Sequence, residues 1–332
     1  MKRLYIFSLM TLSLCSCWPE IFGERNGKFL KEVIRMDEFN SEYDDYNSDM
    51  RYNRSGGFRL TFSSNRKHED YFNLVHFLAG FTYGKRLGVE MLTSSNHELD
   101  NYGEKYGLAS KANGPFNVLG PKTMSMQDDF FAVTDDTDQL LLFFADDSRG
   151  DLQIKYVRKI GPLVEEPVVF ELLNSDKDDA YPTFSRNGDK IYFCSNRDGN
   201  FDIYEVNIPR KVSERITLEN LIKPQDFTIR KMDELSSAYD DKCPYLFNNT
   251  MVFVSNRPGG KGGNDIYFST LVNGEWTTPQ NAGDRINTSY NEYRPILPDL
   301  GHFTYNLMVF SSDRPGGKGG FDLYMTGLND KN

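Results

Sequence analysis

The chain has 332 residues, a mass of 38.2 kDa and a net charge of −10, from 38 Lys and Arg against 48 Asp and Glu. An acidic balance of this size excludes nucleic acid as the main ligand, because phosphate contacts need clustered cations. With 25 Phe, 19 Tyr and 27 Gly, the composition excludes wholesale disorder and favours short strands joined by tight turns over a helical bundle.

The chain opens on an export signal. Lys2 and Arg3 form a positive n-region, and Leu4 to Leu14 is an apolar segment too short to span a bilayer. No later segment approaches the roughly 18 apolar residues of a spanning helix. The apolar run ends in Leu14-Cys15-Ser16-Cys17, which resembles the bacterial lipobox. There the Cys becomes the lipidated first residue of the mature protein. Cys17 fits best because small Ser16 precedes it; Cys15 follows bulky Leu14. The competing reading is an ordinary cleaved signal with two incidental Cys. The expected division is a signal peptide over residues 1–16, a lipidated tether over 17–27 and a folded domain over 28–328. The two later Cys, Cys194 and Cys243, sit in apolar strand patterns and read as buried free thiols.

Internal repeats follow. One signature reads Asn40-Ser41-Glu42-Tyr43-Asp44-Asp45, then Asn174 to Asp179, Ser236 to Asp241 and Asn287 to Glu292, with a weaker copy over Ser125-Met126-Gln127-Asp128-Asp129. Pro182, Pro244 and Pro295 follow three of the copies at one offset. A second signature ends an apolar strand: Ser64-Asn65-Arg66, Ser195-Asn196-Arg197, Ser255-Asn256-Arg257 and Ser312-Asp313-Arg314. A Gly-rich turn comes next, then Asp202-Ile203-Tyr204, Asp265-Ile266-Tyr267 or Asp322-Leu323-Tyr324. The second acid recurs after 84, 50, 62 and 51 residues. Apolar residues alternate with no helical period, so the units read as propeller blades.

This order of motifs resembles the WD40-like repeats of TolB-type β-propellers over most of the mature chain. The first two units depart from the pattern, with Asn73-Leu74-Val75 and Gln153-Ile154-Lys155 in place of Asp-Ile-Tyr. The expectation is an all-β propeller of five four-stranded blades, with six as the alternative and an insertion over Gly84 to Asn113 carrying Asn96, His97, Asn101 and Tyr102. Val33 to Phe39 matches Ile229 to Leu235 closely, so residues 28–36 are expected to supply the outer strand of the last blade and close the ring. Phe29, Leu30, Val33 and Ile34 would be buried in part.

For function, Asp45, Asp129, Asp179, Asp241 and Glu292 occupy equivalent positions near the axis. They form either a candidate axial ring for a cation or a basic segment, or five structural caps paired with the repeat Arg. Arg66, Arg197, Arg257 and Arg314 read as scaffold. His68, His76, His97 and His302 lack metal-ligand spacing, and no cofactor motif is present. The resemblance implies a non-catalytic, lipid-anchored binding module. It would sit in the envelope of a Gram-negative bacterium as an outer-membrane lipoprotein, its loops presented to a protein or glycan. The alternative is an enzyme acting on polysaccharide or peptide with its site in the axial funnel.

Overall fold

The computed structural model describes residues 29, 31–52, 57–84, 88–93, 107–127, 130–132, 139–209, 216–299 and 305–330. Five antiparallel sheets form the blades of a propeller. Blade one holds Asp45–Tyr52, Gly57–Ser64, Asn73–Gly84 and Gly88–Thr93. Blade two has Val118–Gln127, Gln139–Asp146 and Gln153–Ile160, with the short strand Phe130–Ala132 paired on the other side of the first. Blade three holds Asp179–Phe184, Lys190–Ser195, Asp202–Asn207 and Thr228–Lys231. Blade four starts with Asp241–Phe247, Thr250–Ser255 and Asp265–Val272. Blades two and four depart from the expected four strands, because short paired pieces replace one outer strand.

Blade five has Glu292–Ile296, Tyr305–Ser312 and Asp322–Asp330, and its outermost strand is Ile34–Arg35 from the other end of the chain. Ile34 pairs with Met325 and Arg35 with Tyr324. The ring is therefore closed by the N-terminal segment, as its sequence match to the strand before blade four predicts. Phe29 is buried edge-on against Phe81 at 5.0 Å, Met36 is fully buried, and Val33 and Ile34 are half-buried. Leu30 lies outside the described residues.

The second strand of each blade is sandwiched between neighbouring blades. Phe62, Phe144, Phe193, Phe253 and Phe310, one per blade, are all 0 % exposed, which accounts for the Phe content of the repeats. Each inner strand carries a bulge two residues after its start. There Asn47, Gly120, Tyr181, Cys243 and Arg294 all have positive φ, between 45° and 58°. A proline follows in four blades, at Pro121, Pro182, Pro244 and Pro295. A bulge suits proline, since it can remove a ladder position that would need the missing N–H.

The copy assigned to Ser125–Asp129 is corrected by register. Val118 pairs with Asp146 as Asp45 pairs with Ser64 and Asp179 with Ser195. Blade two's copy is thus Asn113 to Val118, with Pro121 at the usual offset, and the spacings become 73, 61, 62 and 51 residues. In the expected insertion, Gly88–Thr93 is the fourth strand of blade one, and helix Leu108–Ala112 buries Leu108, Ala109 and Ala112 beside Leu74 and Val118. Asn96, His97, Asn101, Tyr102 and His302 lie outside the described residues, as do Cys17 and Asp129.

Candidate functional site

The ring acids are occupied by their own blades. Asp45, Asp179, Asp241 and Glu292 are each 0 % exposed. Each accepts a backbone N–H and a hydroxyl from the preceding Ser or Thr: Ser41, Ser175, Ser237 and Thr288. Each also meets its repeat Arg, at 2.7 Å for Arg66 and Arg197, 2.5 Å for Arg257 and 3.0 Å for Arg314. The same guanidinium groups donate to the carbonyls of Phe39, Leu173, Leu235 and Ile286 and lie over the strand-two Phe rings. With charge and lone pairs already engaged, these four acids offer nothing to a ligand at the axis. Val118 stands at the equivalent place in blade two.

The residue before each acid joins neighbouring blades. Asp44, Asn117, Asp178, Asp240 and Asn291 accept, through Oδ1, the backbone N–H of Phe321, Phe72, Leu152, Phe201 and Asn264, at 2.7 to 3.1 Å. In return, the carbonyls of those five residues accept the N–H groups of Asp45, Val118, Asp179, Asp241 and Glu292 at 2.7 to 2.8 Å. The joint is complete at all five interfaces, including the one between the last blade and the first. Asn40, Asn113, Asn174 and Asn287 add a second clamp, each bonding both backbone groups of a residue in the preceding blade.

These joints shape an axial funnel of about 440 Å³. Three sequence columns line it. After the acids come Tyr46, Leu119, Lys242 and Tyr293; before them stand Asp178 and Asn291; ahead of the third strands lie Leu152, Phe201, Asn264 and Phe321. Tyr181, at a bulge, is also part of the lining. One arc is aromatic: Tyr46 stacks on Phe321 at 5.7 Å and contacts Tyr293 at 6.2 Å, and Tyr293 meets Tyr181 edge-on at 6.3 Å. Asp178, Lys242, Asn264 and Asn291 give another arc a polar character. Burial drives the Tyr181 and Tyr293 hydroxyls well above the usual tyrosine range, so both stay protonated. Burial also pushes the Asp240 carboxyl up, but the Lys242 ammonium at 2.9 Å and the Phe201 N–H outweigh it and hold the group below its ordinary value.

Among the described residues, no group of three or more His, Cys, Asp and Glu is placed to hold a metal ion. His68 stacks on Tyr71, and His76 bonds Thr61 at 2.6 Å and is pushed down to about 4 by burial. Cys194 and Cys243 are buried free thiols, both pushed up by burial. Asp265 and Asp322 bind the backbone N–H groups of their Gly-rich turns, at Lys261, Gly262 and Lys318. Asp202 instead pairs with Lys231 at 2.6 Å. The funnel lining was missed from sequence. Its signal was present as the aromatic columns flanking the repeat acids.

No protein-family model matches the chain, and no curated protein does. Solved structures share the fold. An endo-arabinase from Bacteroides thetaiotaomicron matches with 11 % identity and a TM-score of 0.50, over 91 % of this chain and 98 % of that one. The catalytic domain of an α-L-arabinofuranosidase from Coprinopsis cinerea matches with 12 % identity and a TM-score of 0.51, over 92 % and 99 %. A propeller assigned as TolB from Agrobacterium tumefaciens has 12 % identity and a TM-score of 0.42, over 92 % and 99 %. What stands of the sequence resemblance is the five-bladed propeller. The expectation of a non-catalytic binding module is corrected: it rested on reading the fold as an interaction platform, and the first two neighbours are propellers of this fold that are enzymes.

Proposed function

We propose that the chain is a glycan-processing enzyme that takes a saccharide into the axial funnel and cleaves a glycosidic bond there. One observation carries this reading: a concave site that sets an aromatic arc beside a polar arc containing Asp178, Asn264 and Asn291. Sugar rings offer an apolar face for aromatic contact and hydroxyls for amides and carboxylates. Glycoside hydrolysis typically uses two carboxyl groups. Asp178, the carboxyl group of the lining, is assigned as one of them. The names endo-arabinase and α-L-arabinofuranosidase of two neighbours make arabinan the first polymer to test.

The joint position supplies the control. Asn117 and Asn291 accept the interblade N–H as well as Asp does, so Asp178→Asn should keep the joint to Leu152 and lose only the bond that Oδ2 accepts from the Asn196 amide. Wild-type protein is expected to release reducing ends from arabinan or another polysaccharide of a plant and bacterial panel. Asp178→Asn should lower that rate by about 10²–10⁴-fold, with Tm lowered by a few degrees at most for the lost Asn196 bond. Release of no reducing ends from any member of the panel would refute the reading.

Export and lipidation of Cys17 would hold this funnel at the cell envelope, where extracellular glycans arrive. Cys17→Ala should move the protein from the membrane to the soluble fraction while Cys15→Ala leaves it anchored; the reverse pattern in fractionation would refute the anchor.

A further inference from the structure

One column of side chains beside the funnel has no part in the joints or the cleavage. In each blade a single residue precedes the joint acceptor: Tyr43, Phe116, Lys177, Tyr239 and Tyr290. Tyr239 and Tyr290 are 46 % and 42 % exposed, and Tyr43 is half-buried. Among the described residues, Tyr239 and Tyr290 have no bond to their hydroxyls and no ring or cation against their rings. Phe116 differs: its ring lies against Gly114 and packs on the cluster of Leu108 and Val118.

The backbone that carries these tyrosines is fixed. Ser41, Ser237 and Thr288, which hold the repeat acids, also accept the N–H groups of Tyr43, Tyr239 and Tyr290 at 3.2 to 3.3 Å. The preceding blade adds a second hold. The Tyr239 carbonyl accepts from the Asn200 amide at 2.6 Å, and the Tyr290 carbonyl from the Gly263 N–H at 3.2 Å. Gly319 lies so close to the Tyr43 carbonyl that a Cβ there would collide with it. The next residue in sequence ties each tyrosine to the funnel. Asn291 lines it, Asp240 pairs with the lining Lys242, and Asp44 accepts the N–H of the lining Phe321. The three tyrosines stand at consecutive joints, between blades three and four, four and five, and five and one. The funnel's own aromatic residues Phe201, Tyr293 and Phe321 belong to the same sector. Aromatic side chains therefore occur both on the wall and beside the mouth on one side of the ring.

We propose, resting on the glycan-processing reading, that Tyr43, Tyr239 and Tyr290 hold the flanking sugars of a polysaccharide whose cleaved bond lies in the funnel. The substrate class is then an extended chain and not a free disaccharide. The tyrosines are separated by the polar joint residues and do not merge into one apolar face, which suits a ligand that repeats an apolar ring face and hydroxyls. Tyrosine supplies such contact area at a low cost in side-chain freedom.

Native gels cast with arabinan and with the other polysaccharides of the panel test this without relying on cleavage. Wild-type protein should be retarded by at least one polymer. In that gel the double variant Tyr239→Ala, Tyr290→Ala should show a dissociation constant raised about tenfold. Tyr239→Phe, Tyr290→Phe keeps both rings and should keep most of the retardation. The disaccharide of the same polymer, followed by saturation-transfer NMR, should bind wild type and the alanine variant alike, which also shows that the variant is folded. Retardation by no polymer, equal retardation of wild type and the alanine variant, or a phenylalanine variant as weak as the alanine one would each overturn the proposal. The two readings fail separately. Cleavage with unchanged retardation of the alanine variant refutes only the tyrosine sector, and tyrosine-dependent retardation without new reducing ends refutes only the cleavage.

Discussion

A chain begun at Asp37 should melt on the order of 10 °C or more below a chain begun at Gly27. The shorter chain loses the strand Ile34–Arg35, the Met36 N–H bond to Leu323 at 2.9 Å, and the buried side chains of Phe29 and Met36. It also loses the Lys31 carbonyl that accepts from Thr326 at 2.9 Å. Burial of a large apolar side chain contributes about 1.5–3 kcal/mol, and for a domain of this size about 1 kcal/mol moves Tm by roughly 2–4 °C. Removal also bares the outer edge of blade five, so the short chain should aggregate on heating. Thermal melts of the two chains, followed by circular dichroism and light scattering, decide the matter. Equal melting temperatures would show that the blade joint between Asp44 and Phe321 holds the ring closed without the strand.

Arg197→Met should destabilise the fold by about 3–5 kcal/mol, because it leaves the Asp179 carboxylate buried without its cation. The double variant Asp179→Val, Arg197→Met should recover most of that loss. Removing both members of a buried pair in favour of apolar groups is often neutral, and blade two already carries Val118 at the acid position. Urea unfolding of the two variants gives the comparison. A double variant no more stable than the single one would mean that the carboxylate works mainly through Ser175 and not through the ion pair.

The repeats that kept both acid and Arg were legible in the sequence, and so was ring closure, since Val33 to Phe39 visibly copies Ile229 to Leu235. Blade two was misplaced by eleven residues because its acid is Val118. Asp128-Asp129 then looked like the missing copy. The structural requirement there is the interblade acceptor, which Asn117 meets, and the bulge, which Gly120-Pro121 meets. Neither needs a second carboxylate. The same confusion attached function to the wrong column. The repeat acids face their own Arg, whereas the funnel is built by the residues on either side of them, whose identities change from blade to blade. Arg294 was unreadable for a related reason. Nothing in its neighbours marks a left-handed residue at the axis until the five bulges are superimposed.

The joint between blades has a wider consequence. Every interface carries the same joint of local bonds between neighbouring blades. Such a ring tolerates faults singly. Blade two has lost the acid, and blades one and two have lost the Asp-Ile-Tyr motif, yet both still pair with their neighbours through Asn117, Asp178 and Asp44. Redundancy of this kind frees individual blades to drift in sequence while the circle keeps its geometry. Chemistry at the axis can therefore change one spoke at a time, without any change to the rim.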